Sequence, residues 1–207
     1  MRLPLLLLTI FTTVSALCQP AAPADEVHAS LLQSKKKYLI AYAGKDHSFT
    51  MDVTGGRTAK LSDVPGFINI GGQIIQSTLV PVDPSIHIDA MTEAREKDLL
   101  LKYMNYELDY YRKKLKQRYT NLQTEWITEG NRLFLVWYFD MPENYKLVSK
   151  QLYFSTLFYG QVVDLNAPLF KTNDFAKART ILRGLVSSMK TYDKQLDLSK
   201  LGKTLTK

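Results

Sequence analysis

The chain has 207 residues, of which 45% are hydrophobic, and a formal net charge of +7 at pH 7. This length and composition are typical of one globular domain and exclude a disordered or low-complexity polymer. Because Cys18 is the only cysteine, an intrachain disulfide, thiol-pair chemistry and a cysteine-based zinc site are excluded.

The N-terminus has the pattern of a signal peptide. Arg2 supplies a positive charge, and the apolar core Leu3–Val14 is too short to span a bilayer as a helix. We expect cleavage after Cys18, which leaves Gln19 as the first residue of an exported, periplasmic or extracellular chain. No second long apolar run follows, so no transmembrane span is expected.

The cleavage site has two alternatives. Cleavage after Ala16 also satisfies the small-residue rule for signal peptides. A lipoprotein anchor on Cys18 is the other, but Leu17 stands before it where such signals carry Gly, Ala or Ser. We therefore do not expect membrane anchoring.

The first elements of the mature chain are predicted as a linker, a short helix and two hairpins. Two prolines make Gln19–Asp25 a linker, and three apolar residues place a short helix within 26–34. The first hairpin pairs Tyr38–Ala43 with Ser48–Val53, and the second joins the runs on either side of Gly71-Gly72. A phosphate-binding loop is not expected at that glycine pair, because an apolar strand follows it instead of a helix.

A long helix is predicted over Thr92–Arg118, with Asp89 as its N-cap. Its apolar side has the three-four spacing of one helix face. The members of that face are Leu101, Met104, Leu108, Tyr111, Leu115 and Leu122, and Leu100, Tyr103, Tyr106 and Tyr110 widen it.

The strand Arg132–Asp140 is apolar on both faces, which predicts a central strand covered on both sides. The strands Val148–Tyr159 and Val162–Leu165 follow it. A second amphipathic helix then begins after the N-cap cluster Thr172–Asp174 and runs to about Met189. This helix can cover the face that the long helix leaves open.

The predicted fold class is therefore α+β: an antiparallel sheet with the long helix on one face and the C-terminal helix on the other. The domain organisation is a signal peptide over 1–18, a linker and short helix over 19–34, one domain over 35–192, and a polar, frayed tail over 193–207.

This element order resembles the Mog1/PsbP-like sandwich. The resemblance rests on the two-sided strand at Leu133–Phe139, the long strand after it and the terminal helix, and it covers about Tyr38–Tyr192. The signal segment ending at Leu17-Cys18-Gln19 also looks like those of exported proteins of Bacteroidetes-type bacteria. The resemblance implies a non-catalytic binding or assembly factor, although a fold alone does not fix a function.

The best candidate for a metal or acid–base cluster is His87 with Asp83 and Asp89. These residues are also typical of the polar side of a short strand, and no metal-ligand spacing supports the cluster. We therefore expect no catalytic, cofactor-binding or metal site and no cofactor.

Two hypotheses would make the protein an enzyme. A serine hydrolase is disfavoured because the Gly-x-Ser-x-Gly motif is missing from the sequence. A carboxylate hydrolase using Asp140 and Glu143, or the His87 cluster, is the alternative to a non-enzymatic protein.

The basic residues are spread along the whole chain, and we interpret their densest clusters, Lys35–Lys37 and Arg112–Arg118, as short and solvated. A basic module for anionic lipid or polysaccharide is the alternative, and no nucleic-acid partner is expected. The many aromatic side chains follow the apolar periodicity and are expected to pack the interior, rather than to form exposed platforms for sugars or bases. The partner is expected to be another envelope protein or a ligand.

Overall fold

The computed structural model describes residues 28–34, 37–55, 57–62, 67–83, 91–143, 145 and 147–205, and it contains two antiparallel sheets and three helices in these ranges. The strands are β1 (His28–Gln33), β2 (Tyr38–Ala43), β3 (Ser48–Val53), β4 (Ala59–Leu61), β5 (Phe67–Ile70), β6 (Gln73–Pro81), β7 (Thr120–Glu129), β8 (Arg132–Asp140), β9 (Val148–Phe158), β10 (Gln161–Phe170) and β11 (Lys190–Tyr192). The helices are α1 (Glu93–Lys113), α2 (Phe175–Ser187) and α3 (Leu198–Leu205).

The large sheet has seven strands in the order β4-β5-β6-β10-β9-β8-β7. β8 lies between two hydrogen-bonded neighbours, and its register places Trp137 opposite Tyr153 of β9. Its two faces enter two separate cores: Phe134 and Val136 pack on one side, and Leu135 and Trp137 on the other. The prediction of a central strand covered on both faces is confirmed.

Tight turns join neighbouring strands of the large sheet. Gly71 and Gly72 connect β5 to β6 with φ values of 56° and 88°, which only glycine adopts without strain. The turn between β7 and β8 uses Gly130 and Asn131 in the same left-handed region. Short turns of this kind make sequential strands antiparallel neighbours, as the sequence predicted.

The remaining strands form a second sheet in the order β1-β2-β3-β11. The predicted hairpin of β2 and β3 is confirmed, with Tyr38 opposite Val53. The helix predicted within 26–34 is wrong, because His28–Gln33 is a strand paired with β2. Six residues are too few for local helix propensity to outweigh pairing with an exposed strand edge.

Helix α1 covers one face of the large sheet, but its limits and its buried side differ from the prediction. Thr92, not Asp89, is its N-cap, since its side chain accepts from the backbone N–H of Arg95. The helix ends at Lys113, and Leu122 lies in β7. Leu100 is buried on the sheet, whereas Leu101 is 37% exposed. Both leucines fit a three-four pattern, and docking on the sheet selects between them.

Helix α2 and the small sheet together cover the opposite face. Asp174 is the N-cap, as the cluster before the helix predicted, and accepts from the backbone N–H groups of Ala176 and Lys177. Inside α2, a Cβ at Gly184 would lie 2.6 Å from the Thr54 hydroxyl oxygen. The glycine therefore allows a close approach between α2 and the end of β3.

The C-terminal residues belong to the domain, which corrects the prediction of a polar, frayed tail. Lys190–Tyr192 pairs with β3, and Leu198–Leu205 is helical. Ser48 of β3 donates to the carbonyl of Lys194 and accepts from the backbone N–H of Leu196. These hydrogen bonds hold the segment between β11 and α3 against the small sheet.

The buried side of α1 can be tested with two adjacent leucines. Leu100→Ala is expected to lower the free energy of unfolding by about 2–5 kcal/mol, because it leaves a cavity between α1 and the sheet. Leu101→Ala removes an exposed side chain and should change it by no more than about 0.5 kcal/mol. Urea unfolding measures both values, and a reversed order would restore the helix face predicted from the sequence.

Candidate functional site

The candidate site is a groove between α1 and the β6–β10 side of the large sheet, with a cavity volume of about 280 Å³. Its walls are mainly aliphatic and aromatic. They are formed by Val80, Pro81, Val82, Leu99, Tyr103, Tyr106 and Val162, and Asp83 and Lys102 contribute charges. An apolar depression with a few convergent polar groups is the usual form of a ligand or side-chain pocket.

The groove borders a buried polar network between α1 and the sheet. Tyr103 lines the groove, and its buried phenol is a neighbour of Asp164 of β10. Ser155 of β9 donates a short hydrogen bond to the same carboxyl group and accepts one from the indole N–H of Trp137 at 3.0 Å. Register explains the cluster, because Ser155 stands opposite both Asp164 and Leu135, on the strands that flank β9.

Burial changes the protonation of Asp164, which is only 2% exposed. Desolvation raises the pKa of this carboxyl group to about 8. The hydrogen bond from Ser155 opposes this increase, while the nearby Glu107 adds to it. Desolvation also raises the pKa of Glu107 on α1. At neutral pH the carboxyl group of Asp164 is therefore largely protonated and uncharged.

An aromatic stack continues the network along α1. The rings of Trp137 and Tyr153 lie parallel, with centroids 3.7 Å apart and an interplanar angle of 6°. The Tyr153 hydroxyl is 2.9 Å from the hydroxyl of Tyr111 on α1, and desolvation raises the pKa of both phenols. Through Tyr111, the hydroxyl pair connects the C-terminal part of α1 to the stacked rings at the centre of the sheet. The network thus fixes the helix that forms one wall of the groove.

The predicted histidine cluster falls largely outside this description. His87 and Asp89 lie outside the described residues, and Asp83 is found at the exposed edge of the groove. Over the described ranges, no three His, Cys, Asp or Glu side chains come together as a set of metal ligands. The cluster therefore stays a sequence hypothesis, and Asp83 is its one member that the structure places.

Asp140 and Glu143, the carboxylates of the hydrolase alternative, lie in different surroundings. Asp140 forms an ion pair with Lys150 and accepts from the Asn121 amide at 2.7 Å, and these hydrogen bonds hold its pKa below the usual value. Glu143 lies in a separate depression of about 400 Å³ with Tyr145. An ionised Asp140 is not suited to act as a general acid at neutral pH.

Some aromatic residues pack the interior, and others are exposed at the surface. Tyr103, Trp137 and Tyr153 are buried in the α1 core, as expected for packing residues. Tyr106 is 51% exposed beside the groove, and Tyr159 is exposed at the β9–β10 turn. Sequence periodicity missed Asp164, whose signal was a single carboxylate in the apolar run of residues 162–165.

No family model and no curated protein matches the chain. Among solved structures, the chain is similar to cyanobacterial PsbP (CyanoP) from Synechocystis sp. PCC 6803, with a TM-score of 0.43 and 9% identity. The similarity covers 74% of this chain and 92% of that chain. The predicted resemblance to the PsbP-like sandwich is confirmed as a weak one, and we draw no conclusion about function from it.

The buried carboxyl group predicts a dependence of stability on pH. A raised folded-state pKa stabilises the protein fully below the unfolded pKa, near 3.8, and this stabilisation is lost as pH rises towards about 8. Asp164→Asn cannot ionise. Between pH 5 and pH 8, its free energy of unfolding should therefore rise relative to that of the natural chain, by at most about 1.4 kcal/mol per pH unit.

Urea unfolding at pH 5, 6.5 and 8 measures this difference. Asp98→Asn is the control, because Asp98 is exposed on α1 and paired with Lys102. The free energies of unfolding of Asp164→Asn and the natural chain could instead differ by the same amount at every pH. That result would show that Asp164 is ionised in the folded protein.

Proposed function

We propose that this chain is an exported, non-enzymatic binding protein of the cell envelope, which holds an apolar side chain of a partner protein in the groove beside α1. The observation that carries the proposal is the groove itself, whose walls include Val80, Leu99 and Val162. Exposed apolar area adjoins it, since Tyr106 is 51% exposed. Exposed apolar surface of this kind is typical of interaction sites.

A preformed groove favours binding because its walls do not have to be ordered when the partner arrives. Leu100 and Met104 hold α1 on the sheet through the apolar core. The Tyr111–Tyr153 hydroxyl pair, at 2.9 Å, holds it through a polar contact, and Tyr103 lies beside Asp164. The helix wall is thus fixed by contacts that do not involve the partner.

The buried network is better suited to structure than to catalysis. Asp164 has the strongly raised pKa that general acids often have, but α1 covers it, and a substrate could reach it only if the helix left the sheet. The hydrolase alternative through Asp140 is disfavoured by the ion pair with Lys150. In the described part of the chain, no helix is long and apolar enough to cross a membrane.

Export is part of the proposal and rests on the N-terminal sequence. When the chain is expressed with its native N-terminus in a bacterial host, the mature protein should begin at Gln19 and be recovered from the periplasm or the medium. N-terminal sequencing and intact mass measure this. Retention of Met1 would contradict export, and a lipid-modified Cys18 would replace the soluble form with a membrane-anchored one.

The groove can be tested by site-specific photocrosslinking in cells. A photoreactive phenylalanine analogue replaces Tyr106 beside the groove and, as the matched control, Tyr159, an exposed tyrosine at a hairpin turn. We expect one discrete envelope-protein adduct from position 106 and none of the same mass from position 159. No adduct at position 106, or the same adduct from both positions, would refute the groove as the docking site.

A further inference from the structure

From the groove, one row of α1 side chains leads towards the C-terminal end of the helix. Leu99, Tyr106, Tyr110 and Lys114 are separated by seven, four and four residues, which places them on one side of the helix. Tyr106 and Lys114 are exposed, and Tyr110 is half-buried. With a rise of about 1.5 Å per residue, Lys114 lies about 12 Å along the axis from Tyr106. We call this row the α1 stripe.

Five cationic side chains are exposed at or just beyond the C-terminal end of α1: Arg112, Lys113, Lys114, Lys116 and Arg118. The first two share one carboxylate, that of Asp109. For the other three, the described residues offer no carboxylate within 4.0 Å. The negative end of the helix dipole favours cations in the last turn, but this effect falls off beyond it, where Lys116 and Arg118 lie.

The backbone at Lys116 is a second observation at this end. Its φ of 55° lies in the left-handed region, where glycine or asparagine is favoured after a helix. The turn is held by hydrogen bonds from the N–H groups of Leu115 and Gln117 to the carbonyls of Tyr110 and Tyr111. A long cationic side chain therefore stands where a small residue would be less strained, which indicates a use for its charge.

We propose that the α1 stripe binds an acidic segment of a partner protein. One apolar side chain of that segment enters the groove, and its carboxylates contact Lys114, Lys116 and Arg118. This inference rests on the proposed function and specifies the chemistry of the partner. The distance of about 12 Å corresponds to about four residues of extended chain at about 3.3 Å each. The formal charge of +7 on the whole chain further favours an acidic partner.

An acidic peptide fits this surface better than an anionic bilayer does. Asp98 and Asp109 are exposed on α1 beside the stripe, with side-chain exposures of 58% and 37%. A phosphate-rich membrane surface would bring negative charge against both carboxylates. A peptide places its carboxylates only at the cationic end and can offer backbone N–H groups near the two aspartates.

The test is fluorescence anisotropy of the full mature chain with a fluorescein-labelled peptide that has one leucine, two serines and six glutamates. The triple variant Lys114→Glu, Lys116→Glu, Arg118→Glu should lose about tenfold or more in affinity. The control Lys60→Glu, Lys190→Glu, Lys200→Glu makes the same change of net charge at exposed positions on β4, β11 and α3. We expect it to lose no more than about twofold. Circular dichroism checks that both variants are folded.

The anchor is tested with the same peptide carrying serine in place of leucine, and with Tyr106→Ser. Each change should weaken binding several-fold. The affinity should still depend on salt concentration to the same degree, because the charged contacts remain. An equal loss in the two triple variants, or no binding of the acidic peptide at low salt, would overturn the inference.

Vesicles with 30% phosphatidylglycerol provide the competing surface. Binding to these vesicles without binding to the peptide would overturn the inference in favour of an anionic membrane. A discrete crosslink at position 106 whose yield is unchanged by the Lys114, Lys116 and Arg118 substitutions would leave the groove proposal standing and remove the acidic partner. Absence of that crosslink, by contrast, removes the groove proposal itself.

Discussion

The structure depends on removing both faces of two adjacent strands, β8 and β9, from water. Phe134, Val136 and Phe154 point to one side, and Leu135, Trp137 and Tyr153 to the other. A sheet with two apolar faces is stable only between two layers, because the hydrophobic term scales with the area removed from water. Helix α1 provides one layer, and α2 with the small sheet provides the other. The remaining architecture follows from this requirement.

The α1 layer is held by polar as well as apolar contacts. The apolar contacts provide most of the buried area, and the polar contacts define the position of the helix. Leucine and methionine contacts provide most of the burial but tolerate small shifts of the helix. The Tyr111–Tyr153 hydroxyl pair has directional geometry, so a displaced helix would leave two buried hydroxyl groups unpaired. Such a contact favours one position of α1 over neighbouring ones, at the cost of burying two phenols.

A helix fixed on its inner side can present an ordered outer side. The groove at Leu99 and Tyr106 lies where α1 meets β6 and β10, and the cationic turn lies where the same helix ends. Both features are therefore carried by one helix, so the helix length sets their separation. This arrangement is suited to recognition, in which preorganisation reduces the entropy lost on association.

Local pattern and backbone conformation are sufficient to predict the fold class, the two-sided strand at Arg132–Asp140, the Gly71-Gly72 turn and the Asp174 cap. Packing between distant segments selects the buried leucine of α1, makes residues 28–33 a strand and joins the C-terminal segment to the small sheet. The site also arises from packing, since strand register and helix docking bring Asp164 next to Tyr103. These outcomes depend on contacts between distant residues, which periodicity along one segment does not encode.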